Sequence, residues 1–115
     1  MNAETLNGLV TSAIWRAEQL QESDMQAAAR MWLEVSDLEE RLAQVLPPSQ
    51  GEGRIARRGA VRAALKANDY VRAVRLTDAY GAETGVPQAL KESLREMLEE
   101  HAQQFAGRYP SAAKP

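Results

Sequence analysis

Apolar side chains in this chain recur every three or four residues, and no stretch alternates apolar and polar positions long enough to pair as a strand. Leu6, Val10, Ala13, Ile14, Ala17 and Leu20 fall on one side of a helix over residues 3–22, with Asn2 placed to cap it. Ala28, Trp32, Val35, Leu38, Leu42 and Leu46 repeat the pattern in a second helix, for which Ser23 and Asp24 offer caps. Pro47-Pro48 stops that helix, because proline lacks an amide proton and disfavours a helical predecessor. Residues 47–53, Pro-Pro-Ser-Gln-Gly-Glu-Gly, read as a loop.

Beyond the loop, a third helix is expected from Arg54 to Ala67, its apolar side built mostly of alanine. Asn68-Asp69 then makes a turn, with Asp69 capping a fourth helix that carries Tyr70, Ala73, Val74, Leu76, Thr77 and Tyr80. Gly81 is expected to end it in the left-handed conformation. Thr84-Gly85-Val86-Pro87 opens a fifth helix with Pro87 in its first turn, a stripe of Leu90, Leu94, Met97, Leu98, His101 and Phe105, and a stop at Gly107. The expectation is an all-α fold, an antiparallel bundle of four to five helices. A long N-terminal hairpin (3–46) precedes shorter helices (54–106) in a single domain over 1–107, with a flexible tail at 108–115.

Composition narrows the chemistry. Among 115 residues there is no cysteine and one histidine, so disulfides, cysteine nucleophiles and multi-histidine metal sites are excluded. His101 lies on an apolar stripe, where a packed imidazole is the ordinary outcome. Glu92, Glu96 and Glu100 stand one turn apart, but no Glu-x-x-His repeat joins them, and they read as a solvated acidic face. Gly51-Glu52-Gly53 lacks the preceding strand and the Gly-Lys-Ser/Thr of a phosphate loop. No catalytic, cofactor-binding or metal-binding residue is therefore expected, nor a small-molecule substrate, and the chain reads as a non-enzyme. Neither a signal-peptide start nor an apolar run of about 18 residues is seen. The cytoplasm, with no membrane contact, is the expected location.

The charge is unevenly placed. Between Arg54 and Arg75 lie seven basic residues (Arg54, Arg57, Arg58, Arg62, Lys66, Arg72 and Arg75) and one acidic residue, Asp69. That segment carries +6 in a chain of net charge −2. Arg54, Arg58, Arg62 and Lys66 are four apart, which lines them along one side of the third helix. Such a ridge suits an acidic protein partner, phosphates of nucleic acid, or carboxylates within the fold on the second and fifth helices. Trp15, at the edge of the first helix's stripe, is a candidate apolar anchor.

The stretch Ala64-Leu65-Lys66-Ala67-Asn68-Asp69-Tyr70-Val71-Arg72-Ala73 resembles the bend inside a tetratricopeptide unit. There an Asn/Gly-Asp-Tyr turn joins two helices, with a small residue three positions after the tyrosine, here Ala73. The resemblance covers about residues 54–83 and has no second copy in the chain. It implies a helical hairpin suited to docking other proteins. The expected function is a protein-protein adaptor or small assembly subunit, binding a protein partner or a second copy through helix faces. The alternative is a nucleic-acid-binding subunit using the basic helix 54–66.

Overall fold

The computed structural model describes residues 1–108, with side chains to residue 104. It contains five α-helices: α1 (Ala3–Leu20), α2 (Met25–Val45), α3 (Gly51–Lys66), α4 (Tyr70–Gly81) and α5 (Gln88–Arg108). No strand occurs among the described residues. Three of the helices begin on the caps that the sequence offers. The side chains of Asn2, Asp24 and Asp69 accept hydrogen bonds from the backbone amides of Thr5 (2.8 Å), Ala27 (3.1 Å) and Arg72 (3.0 Å). Each satisfies a donor that the first turn would otherwise leave open.

The helices pack as a slab, 47 × 36 Å across and 17 Å deep. Among the described residues α1 packs on α2 alone, α2 also packs on α3, and α3 meets both α4 and α5, which meet each other. α3 is the central element, and its small residues permit this. Ala56, Ala60, Ala63 and Ala64 are buried, so neighbouring helices approach its backbone closely. Leu6, Val10, Ala13 and Ala17 seal α1 onto α2, while Leu76, Leu90 and Leu94 fill the far side of the core.

Several boundaries differ from the sequence reading; α1 ends at Leu20 rather than residue 22, and α3 at Lys66 rather than Ala67. α3 starts at Gly51 rather than Arg54, so Gly51-Glu52-Gly53 is its first turn. A single turn at residues 47–50 suffices, closed by the Gln50 amide on the Pro47 carbonyl at 3.1 Å. Gly53 is needed there for close approach: a Cβ would overlap the Pro47 carbonyl oxygen. Gly81 is a helical residue and does not turn left-handed; the positive angles fall instead on Gly85 (φ 76°) and Asn68 (φ 61°). Pro87 precedes α5, its carbonyl accepting from the amides of Leu90 and Lys91. α5 runs to Arg108 rather than stopping at Gly107. The expected tail beyond Arg108 and the place of Phe105 on the stripe lie outside the described residues.

Candidate docking surface on the third helix

The seven cations of residues 54–75 divide into two groups. Arg57 is the clearest departure from the expected surface role, because it is 2% exposed. Its Nε and Nη2 donate to the two carboxylate oxygens of Glu83 at 2.6 and 2.7 Å. Nη1 donates to the carbonyls of Leu46 and Gly53, and Nη2 to that of Ala43. The guanidinium also lies 5.4 Å from the Tyr80 ring centroid. This one side chain joins the end of α2, the start of α3 and the segment after α4, so it is a structural bolt rather than a contact residue. Its hydrogen-bonding fork matches a carboxylate as an ammonium would not.

Arg72 is likewise drawn inward. Its Nε donates to Ser36 Oγ at 2.9 Å and its Nη2 to Glu40 at 2.8 Å, with Asp37 at 3.9 Å. Ser36 Oγ in turn donates to the Ala60 carbonyl at 2.7 Å, which links α4, α2 and α3 through one buried hydroxyl. Arg75 shares Glu40 at 3.8 Å and remains largely exposed. Arg54 is half-buried, its Nη1 donating to the carbonyls of Pro48 (3.2 Å) and Ser49 (2.9 Å). Of the expected contact residues, Arg57 and Arg72 thus belong to the fold, and Arg54 serves the turn before α3.

The second group stays open. Arg58, Arg62 and Lys66 follow one another along the outer side of α3, and none has a carboxylate within 4 Å among the described residues. Lys66 rests with its ammonium 4.4 Å from the ring centroid of Trp32, a cation–π contact that steadies the side chain while leaving it in solvent. Ile55, 59% exposed, precedes Arg58 and Arg62 by three and seven residues and adds an apolar contact to the same side. Trp15 is 63% exposed, but it stands on α1, which does not touch α3. With Leu9, Ser12, Arg16, Met31 and Leu38 it lines a separate open groove of about 650 Å³ between α1 and α2.

One carboxylate borders the ridge. Glu39 on α2 is buried, its Oε2 filling the space where a Cβ on Gly59 would lie. Burial pushes its carboxyl up to about 7, against the opposing pull of Arg62. Burial also raises the Tyr80 phenol, which has no hydrogen-bond partner among the described residues. His101 stacks on Tyr70, with ring centroids 5.8 Å apart, so that tyrosine lies at the surface rather than in the core. No helix among the described residues is long and apolar enough to cross a membrane. No group of three or more His, Asp or Glu able to hold a metal occurs among them.

The sequence reading missed Glu83 as the partner of Arg57 and Ser36 as the junction of three helices. A signal for the first was present. Arg57 sits three, four and seven residues before the buried Ala60, Val61 and Ala64, on the apolar side of its helix. Comparison with known protein families, with curated proteins and with solved structures finds no match.

Proposed function

We propose that this chain is a non-enzymatic protein-docking subunit whose contact surface is the outer side of α3. Arg58, Arg62 and Lys66 supply the charge and Ile55 an apolar contact, with Trp15 as a second anchor on α1. The observation that carries this reading is the division of the cations. Arg57, Arg72 and Arg75 have carboxylate partners inside the molecule, while Arg58, Arg62 and Lys66, at four-residue intervals, have none among the described residues. Long side chains held ready on a rigid helix favour an acidic protein surface, giving orientation and rate of encounter more than affinity. The hairpin of α3 and α4, turning at Asn68 and capped by Asp69, supports the tetratricopeptide-like reading. A cytoplasmic setting suits a chain that has no cysteine and so needs no oxidising conditions to fold.

Nucleic acid is the competing partner. It is disfavoured because Tyr70 is stacked on His101 and Tyr80 is buried, so neither offers a free platform for bases beside the ridge. Two probes separate the readings. A helical peptide with glutamate at every fourth position should bind, and Arg58→Glu/Arg62→Glu should abolish that binding. A labelled random oligonucleotide should not bind at either low or moderate salt. Oligonucleotide binding that falls steeply with salt would instead mean that phosphates are contacted.

A further inference from the structure

The ridge on α3 has an oppositely charged counterpart on the same molecule. Glu92, Glu96, Glu99 and Glu100 of α5 are all exposed, and none has a cation within 4 Å among the described residues. Arg95 is exposed between them, and among the described residues the only hydrogen bond to these carboxylates is a long one, 3.5 Å, from Gln88 to Glu92. Arg58, Arg62 and Lys66 stand two residues out of step with the buried Ala60 and Ala64. Glu92 and Glu96 stand two residues out of step with the buried Leu90 and Leu94. At about 100° per residue, each ridge points roughly 200° away from the side its helix packs with. The two ridges therefore cannot meet within one chain, although α3 and α5 touch.

Their pitch is the same. Residues four apart on a helix rise about 6 Å, so Arg58, Arg62 and Lys66 match Glu100, Glu96 and Glu92 position for position in an antiparallel crossing. We infer that the partner of the α3 ridge is a second copy of this chain. Arg58, Arg62 and Lys66 of one copy dock on Glu100, Glu96 and Glu92 of another. Because the two ridges point away from each other, the contact is head to tail, the α3 ridge of one copy on the α5 ridge of the next. The net charge of −2 opposes such a meeting only slightly. This inference rests on the docking reading above and names its partner. Pairs of exposed charges are individually weak, so the association is weak and sensitive to salt.

Sedimentation equilibrium of the full chain tests it. At about 25 mM salt the mass should rise with concentration above that of one copy. At about 0.5 M, where the screening length is about 4 Å, it should return to one. Arg58→Glu/Arg62→Glu and Glu96→Lys/Glu100→Lys should each be monomeric while keeping the helical circular dichroism and melting transition of the parent. An equimolar mixture of the two variants should recover the association, because opposite-charge contacts are restored between the two variants. That recovery also excludes unfolding as the reason for the loss. A single-copy mass at every salt overturns the inference, as does self-association that survives either charge reversal. If the chain is monomeric yet still binds the glutamate peptide through Arg58 and Arg62, self-docking falls and the docking reading stands. Loss of both removes both.

Discussion

At the scale of single residues, Arg57 and Glu39 are the two side chains whose removal should tell most. Replacing Arg57 with alanine strands the Glu83 carboxylate and the carbonyls of Ala43, Leu46 and Gly53. Breaking one side of such a network costs about 3–5 kcal/mol, a large part of a small domain's stability. Urea titration should place the midpoint of Arg57→Ala far below that of the parent, whereas Arg62→Ala, at an exposed position, should stay close to it. Glu39 acts in the opposite sense. Its folded carboxyl titrates near 7, against 4.5 for a free one, so its proton favours the folded state. The stability it contributes is complete below about pH 4.5 and is lost as pH rises through about 7. Glu39→Gln should remove that loss and be more stable than the parent by roughly 2–3 kcal/mol at pH 8, with little difference at pH 4. The position of Arg57 on the apolar side of α3 was readable in advance. Its partner Glu83 was not, because it lies on a different element and only tertiary packing brings the two together.

Elements were the most readable level. Asn2, Asp24 and Asp69 announce the starts of α1, α2 and α4, because a short polar side chain before an apolar-periodic run satisfies the first-turn amides wherever it occurs. Glycine was read less well. Gly51 and Gly53 suggest a loop by composition, yet Gly53 is helical and is small for the sake of the Pro47 carbonyl beside it. The neighbours of a glycine decide the effect of adding a methyl group. Gly8 lies inside α1 with nothing near its absent Cβ. Gly8→Ala should therefore raise stability by about 0.5–1 kcal/mol, the usual helix-interior difference. Gly53→Ala meets backbone that cannot swing aside and should lower stability by about 1–3 kcal/mol or more. Thermal melts of the two variants should shift in opposite directions.

Across the whole molecule, the order of packing sets the order of opening. α1 has a single neighbour, whereas α3 is held by α2, α4 and α5. Amide exchange should therefore be fastest in α1 among the helices over residues 3–81 and slowest in α3, with α1 detaching in an opening smaller than global unfolding. Equal protection of α1 and α3 would mean that the slab opens as one unit. The all-α class was plain from periodicity alone, but the flat arrangement was not, because helical spacing marks which side of a helix is buried without saying how many neighbours share it. Four of the seven expected contact cations, Arg54, Arg57, Arg72 and Arg75, bond within the molecule for the same reason: a count of cations does not distinguish an arginine that fastens helices from one that faces water.

The two tryptophans have opposite surroundings. The indole of Trp32 is 4% exposed beneath the Lys66 ammonium, and that of Trp15 is 63% exposed on α1. Their emission should separate into a blue component shielded from iodide and a red component open to it, so the native chain carries its own two-channel optical gauge without any attached dye. A ligand on α3 would disturb the first channel, and one seated against α1 the second.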